Sequence, residues 1–205
     1  MENLRVSVIF HSIFGHIYQL ALAEAEGARE VEGVDVKIYQ IEELLPPSII
    51  EAMHATEAKK KFAHVPVAKI DDLSEADGII FGTPTRFGMM SAQMKEFLDS
   101  TGPLFAKGTL AGKVGSVFTS TQTQHGGQES TILSFHTVLL HHGMILTGVP
   151  YTIQQLSYMD QISGGSPYGA STITGSDGRA ISENELAIAK AQGRRVAEIV
   201  KKLFG

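Results

Sequence analysis

The chain has 205 residues, a length that predicts one domain, and its 43% hydrophobic and 19% charged residues predict a buried core. A net charge of −5 argues against nucleic-acid binding, which needs clustered lysine and arginine, and the lack of cysteine excludes disulfides and Cys-ligated metal sites. No apolar run reaches the ~20 residues of a membrane span, and residues 6–10 are too short for a signal-peptide core, so we expect a cytoplasmic protein.

The first half of the chain begins with a buried apolar strand at residues 4–10, followed by a helix from His16 to about Val31. Residues 34–41 alternate apolar and polar side chains, which is typical of a half-buried edge strand. Residues 42–69 are too long for a simple connection, and they contain a charged helical pattern at 51–62. Long connections inside a domain are usually functional or lie at an interface.

The second half repeats the strand and helix alternation. Its predicted strands are residues 78–82, 113–120 and 144–149. Its predicted helices are residues 91–98 with Ser91 as N-cap, residues 128–142, and residues 182–203 with a capping box from Ser182 to Glu185. Residues 150–181 show neither period. Strands alternating with helices predict an α/β fold, a doubly wound parallel sheet of five strands with right-handed crossovers.

In such a sheet, ligands bind beyond the carboxyl ends of the strands. Three loops rich in Ser, Thr and Gly follow the first, third and fourth strands, at residues 12–17, 83–88 and 120–127. The first loop runs into a helix, whose N-terminal amides favour an anion, although an ordinary turn capped by Ser12 fits the same residues. Together the loops suit a flat ligand with a phosphate tail, such as FMN.

Other nucleotide and hydrolase motifs are missing from the sequence. No G-x-G-x-x-G or G-x-S-x-G occurs, and residues 108–113 resemble a Walker loop that is one residue short. The histidine pairs His11/His16 and His136/His141 are five residues apart, so neither pair has the i, i+4 spacing of a helical metal site. We therefore expect no metal.

Five segments together resemble the WrbA family, the flavodoxin-like type IV NAD(P)H:quinone oxidoreductases. They are residues 12–17, 81–88, 125–128, 141–144 and 164–170. The resemblance covers nearly the whole chain, and its most specific segments are P-T-R-F-G and G-G-x-P-Y-G-A. It implies one flavodoxin-like FMN-binding domain over residues 1–205, strand order 2-1-3-4-5, and excursions at about 42–69 and 150–181. It also implies hydride transfer from NADH or NADPH, two-electron reduction of quinones, and a homotetramer with sites near subunit interfaces.

The resemblance also implies roles for individual residues. Arg86 and His142 would be catalytic, and Phe14 and Phe105 would line the substrate pocket. The cofactor would be held by Ser12, Ile13, Phe14, Gly15, His16, Ile17, Thr85, Arg86, Phe87, Ser120, Thr121, Gln122, Thr123, Gly126, Gly127 and His142.

Three positions depart from the pattern common in this family. Phe14 stands where many relatives have Tyr, Phe105 replaces a common Trp, and Met89 replaces a frequent Asn. The loop at 120–127 also carries more polar bulk than some relatives have there. These departures affect the shape of the substrate pocket and leave the cofactor site intact.

Each assignment has a plainer alternative. Arg86 could pair with a surface carboxylate, and His142 could be favoured only by the dipole at a helix end. The aromatic residues could belong to the core, and Lys59 to Lys61 could form a solvated helix face or dock an NADPH 2′-phosphate. For function, a one-electron flavodoxin-type carrier is the main alternative, because such carriers dock through acidic surfaces. A regulatory partner of a DNA-bound protein is disfavoured because no basic patch is present.

Overall fold

Strands and helices alternate along residues 4–205, the part of the chain that the computed structural model describes. The strands are β1 (Leu4–Phe10), β2 (Val34–Gln40), β3 (Gly78–Pro84), β4 (Val114–Thr121), β5 (Ile145–Leu146) and β6 (Ser171–Ile173). The helices are α1 (His16–Arg29), α2 (Pro47–Ala52), α3 (Thr56–Lys60), α4 (Ile70–Glu75), α5 (Ala92–Asp99), α6 (Gly102–Ala106), α7 (Gln128–His141) and α8 (Glu183–Phe204).

The strands form one parallel sheet in the order β2-β1-β3-β4-β5, which confirms the predicted doubly wound fold. β4 is buried along its whole length and β3 along all but its last residue, because helices cover both faces of a parallel sheet. All carboxyl ends therefore meet at one edge of the sheet. The predicted caps are also confirmed: Ser91 Oγ accepts the Met94 N–H at 3.4 Å, and Ser182 Oγ accepts the Glu185 N–H at 3.2 Å.

The predicted fifth strand, residues 144–149, is wrong in its extent. Only Ile145 and Leu146 pair with the amino end of β4, and β6 pairs with the carboxyl end, at Thr119 to Thr121. At Gly148 a Cβ atom would lie 2.1 Å from the Pro167 carbonyl oxygen, so the returning chain packs directly against the backbone there. Two short strands, β5 and β6, therefore share the position beside β4 that the sequence predicts for one strand. The segment 147–170 connects them and places β6 at the carboxyl edge of the sheet.

Two hydrophobic clusters lie on opposite faces of the sheet. One is formed with α1 and α8, the other with α5 and α7. Helices α1 and α8 approach closely at two glycines: a Cβ on Gly27 would lie 1.8 Å from the Lys190 carbonyl oxygen, and one on Gly193 would lie 1.9 Å from the Glu24 carbonyl oxygen. Any side chain at either position would push these two helices apart.

The segment 42–69 does not contain the single helix predicted at 51–62. It forms the short helices α2 and α3 instead, separated at His54, whose φ of 56° interrupts the helical backbone. Ile50 and Ala55 of this segment pack on Ile13, next to the first loop of the sheet edge. No helix within residues 4–205 has the length and apolar character needed to cross a bilayer.

Candidate functional site

A cleft of about 630 Å³ lies at the carboxyl ends of β1, β3 and β4. That volume is within the usual range for small-molecule and cofactor sites. Its walls come from all three predicted loops and from one segment that sequence reasoning missed. The lining residues are Ser12, Ile13, Phe14, His16, Ile17, Pro84, Thr85, Arg86, Ser120, Thr121, Gln122, Thr174, Gly175, Ser176 and Gly178.

The loop 12–17 joins β1 to α1 and presents the helix N-terminus to the cleft. Gly15, rather than Ser12, is the N-cap, with φ 88°, and Ser12 Oγ accepts the Gly15 N–H at 3.1 Å. A Cβ atom on Gly15 would meet no atom within 4 Å, so the space beside it is open. The amides of the first helical turn have no acceptor inside the helix. This end of α1 is therefore built to receive an anion.

The loop after β3 is a tight turn that carries Arg86. The Arg86 N–H donates to the Met89 carbonyl at 2.7 Å, and Phe87 and Gly88 both have positive φ at the tip. The Phe87 ring is fully exposed. Within residues 4–205 no carboxylate lies within 4.0 Å of the Arg86 guanidinium, so the alternative of a surface ion pair has no support in this chain.

The fourth wall, residues 174–178, extends β6 along the end of β4. The Thr174 N–H donates to the Thr121 carbonyl at 2.8 Å, and the Gly175 N–H donates to the Gln122 carbonyl at 3.0 Å. The sequence T-G-S-D-G signals turns, but turn signals alone do not place a loop next to a particular strand. Only the splitting of the fifth strand brings this segment to the cleft.

Glu185 fixes that fourth wall from behind. Its fully buried carboxylate accepts the N–H groups of Gly164 at 2.9 Å and Ile173 at 3.1 Å, and it pairs with Arg179 at 2.5 Å. Burial opposes ionisation of this group, but its hydrogen bonds with backbone N–H groups and the nearby Arg179 charge lower the pKa of Glu185 overall. The Arg179 carbonyl in turn lies 3.1 Å from His16 Nε2, which ties the fourth wall to the loop 12–17.

His142 and Phe105 lie outside this cleft. Helix α7 separates His142 from the cleft, because Gly127 caps its amino end beside the cleft and His142 caps its carboxyl end. The 14 residues of this helix span about 21 Å. Thr101 Oγ1 donates to the Leu98 carbonyl at 2.6 Å and lies 2.9 Å from His142 Nε2, so Nε2 carries the hydrogen toward Thr101. Burial, with a smaller contribution from His141, lowers the pKa of His142. The Phe105 ring stands edge-on to His142 at 5.8 Å between ring centroids.

The structure thus brings ten of the seventeen predicted site residues to the cleft wall. Of the other seven, Gly15 and Phe87 lie within the wall-forming loops, and Phe105 and His142 lie at the far end of α7. The remaining three continue the loop after β4: they are Thr123, Gly126 and Gly127. The Thr121 hydroxyl donates to the Thr123 carbonyl at 2.8 Å, which folds this loop back over the strand end.

Comparison with known proteins places the chain in a family. Residues 8–155 match the family described as NADPH-dependent FMN reductase. Proteins named NAD(P)H dehydrogenase (quinone) from Syntrophobacter fumaroxidans and Aromatoleum aromaticum are 58% and 59% identical over 201 residues, which is 98% of this chain and 98% and 97% of theirs.

Solved structures agree on the fold. A flavodoxin, WrbA-like protein from Agrobacterium tumefaciens superposes with a TM-score of 0.65 at 23% identity, covering 97% of this chain and 98% of the other. Oxidised flavodoxin 1 from Bacillus cereus gives 0.59 at 15% identity, covering 98% and 99%. The chain therefore belongs to the NADPH-dependent FMN reductase family, has a flavodoxin-like fold, and groups by sequence with the NAD(P)H dehydrogenases (quinone).

Proposed function

We propose that this protein is an FMN-dependent NAD(P)H:quinone oxidoreductase that reduces quinones to hydroquinones by two electrons. The observation that carries the proposal is the cleft at the sheet edge, which combines an open helix N-terminus with an arginine that has no carboxylate partner among residues 4–205. The full-length identity to proteins named NAD(P)H dehydrogenase (quinone) supports the same activity.

The cleft fits FMN at both of its ends. The open space beside Gly15, the Ser12 hydroxyl and the first amides of α1 suit a dianionic phosphate. At the other end, Thr85, Arg86 and the polar loop after β4 offer donors and acceptors to the edge of a flat ring. When bound, FMN would supply hydride transfer between a reduced nicotinamide and a quinone.

Arg86 and Phe14 are the residues of this chain that would face the reacting part of the cofactor and its substrates. Arg86 has no carboxylate partner within the described residues, so its guanidinium is free to stabilise negative charge that reduction places in the cleft. The turn from Arg86 to Met89 fixes the backbone under that side chain. Phe14, half-exposed at the cleft wall, would face the nicotinamide and the quinone.

His142 would act on the quinone oxygen only if another copy of the chain brings it to the cleft. Its Nε2 hydrogen points to Thr101, which leaves Nδ1 without a hydrogen-bond partner among residues 4–205. Nδ1 is the unprotonated nitrogen of this tautomer, so it would first take a proton from water and then pass it to the quinone oxygen. This role agrees with a homotetramer in which residues 1–205 of each subunit form one FMN-binding domain. We also propose that the protein is cytoplasmic.

The test is an anaerobic cycle in an optical cell. Protein loaded with FMN should lose its yellow absorption when NADH or NADPH is added, and a stoichiometric amount of benzoquinone should restore it. A one-electron carrier would instead resist direct reduction by NADH and accumulate a paramagnetic state at half reduction. That result would overturn the proposed activity.

A further inference from the structure

The segment 42–69 places one carboxylate directly behind the loop 12–17. Glu43 is only 14% exposed, and four groups surround its two oxygens. Lys59 Nζ lies 2.9 Å and His11 Nε2 3.2 Å from Oε2, while Gln93 Nε2 donates to Oε1 at 2.6 Å and the Leu45 N–H donates at 3.1 Å. An ionised carboxylate only accepts hydrogen bonds, so His11 Nε2 carries a hydrogen.

Three of these partners connect Glu43 to the two clefts. His11 directly precedes Ser12, and Lys59 Nζ also lies 3.5 Å from the Ser12 carbonyl oxygen. Gln93, on α5, lines a second cleft of about 550 Å³, which shares Ile13 and Arg86 with the first. Glu43 therefore connects the loop that would hold the phosphate to the region around the loop that carries Arg86.

The charges within the cluster favour this arrangement. Burial alone would raise the pKa of Glu43, but hydrogen bonds from His11, Lys59, Leu45 and Gln93 outweigh it and hold the pKa well below its usual range. Lys59 is 21% exposed and paired with Glu43, whereas its neighbour Lys60 is 67% exposed. His11 is 1% exposed, and burial lowers its pKa. Without the carboxylate, a partly buried ammonium and a buried imidazole N–H would lose their shared acceptor.

We propose that Glu43 is a positioning residue for the cofactor site: through His11 and Lys59 it fixes the loop 12–17, and through Gln93 it holds that loop in register with the Arg86 region. This inference rests on the proposed FMN site. The segment 42–69 would then stabilise the cleft in two ways: Glu43 fixes the loop 12–17, and Ile50 and Ala55 pack against Ile13.

The first test compares FMN affinity, by calorimetry, for the wild-type protein, Glu43→Gln and the control Glu57→Gln. Glu57 lies in the same segment but is 81% exposed, and among the described residues it pairs with Lys60 alone. We expect Glu43→Gln to weaken FMN binding about tenfold and the control to leave it unchanged. If the wild-type protein does not bind FMN, the proposed function fails. If the wild-type protein and Glu43→Gln bind equally well, the positioning role is wrong.

A second measurement separates positioning from general stability. Hydrogen exchange of the apoprotein should accelerate at residues 11–17 in Glu43→Gln while α8 keeps the wild-type rate. Uniformly faster exchange with unchanged FMN affinity would contradict the proposal, because it would show a purely structural role.

Lys59→Met provides a further variant that does not depend on the folding of Glu43→Gln. If Glu43 acts through Lys59, this variant should weaken FMN binding about threefold. The double variant should then bind FMN no more weakly than Glu43→Gln alone. Unchanged affinity in Lys59→Met, or fully additive losses in the double variant, would overturn the proposed coupling.

Discussion

Glu24 is a carboxylic acid buried completely on the face of α1 that meets the core. Neither of its oxygens has a hydrogen-bond partner among residues 4–205, and burial raises its pKa well above 4.5. The folded protein therefore keeps a proton that the unfolded chain releases above that pH. By linkage, the free energy of unfolding falls as the pH rises from about 4.5 toward the raised pKa of the folded state.

Replacing Glu24 with Gln should remove this loss. We expect Glu24→Gln to be more stable than the wild-type protein by about 1–3 kcal/mol at pH 8 and to differ little at pH 4.5. Urea unfolding at both pH values measures the difference. Glu26→Gln, which changes an exposed carboxylate paired with Lys190, is the matched control. Parallel pH profiles for the wild-type protein and Glu24→Gln would contradict the raised pKa.

Arg86 gives a residue-scale prediction for the cofactor. Removing its charge in Arg86→Leu should make the two-electron reduction potential of bound FMN more negative by about 30 mV, which corresponds to about 1.4 kcal/mol. Spectroelectrochemistry at constant pH measures this shift. Lys202→Met, on the last turn of α8, should leave the potential unchanged. A wild-type potential in Arg86→Leu would remove the proposed charge stabilisation.

At the scale of elements, the strands that could be predicted from the sequence are those with long apolar runs. β1, β3 and β4 have long buried runs that are visible in the sequence as apolar segments. Because the strands are parallel, the loops that follow them meet at one edge of the sheet. The split fifth strand could not be read this way, because it depends on the contact of Gly148 with Pro167. The cleft wall at 174–178 was missed for the same reason, since long-range bonds to β4 place it.

A substitution at Glu185 tests how the segment 174–178 is held against the cleft. Glu185→Gln should lower the free energy of unfolding by about 2 kcal/mol near neutral pH, because three backbone N–H groups and Arg179 lose an ionised acceptor. The lowered pKa means that this stabilisation is present above pH 4.5 and is lost as the pH falls through the folded-state pKa, so the gap from the wild-type protein should narrow in acid.

Urea unfolding across this pH range measures the effect of Glu185→Gln. Glu183→Gln, an exposed substitution in the first turn of the same helix, is the control. A constant gap between Glu185→Gln and the wild-type protein from neutral to acidic pH would contradict the assignment.

At the scale of the whole molecule, the proposed role of His142 requires a second copy of the chain, because α7 separates this residue from the cleft of its own chain. The helix predicted at residues 128–142 also separates His142 from Gly127 along the chain. We expect His142→Ala to lower quinone turnover about 100-fold while FMN affinity stays unchanged. The exposed neighbour His141 provides the control His141→Ala. Light scattering should give four chains per particle, and a monomer with full activity would exclude any role for His142.

In the proposed function, the loop 12–17 holds the phosphate end of FMN in the cleft at the sheet edge. Calorimetric titration of the apoprotein with FMN and, separately, with riboflavin tests it most directly. We expect one FMN per chain with micromolar or tighter affinity, and much weaker binding of riboflavin, which lacks the phosphate. Absence of FMN binding, or equal affinity for both flavins, would contradict this role of the loop 12–17.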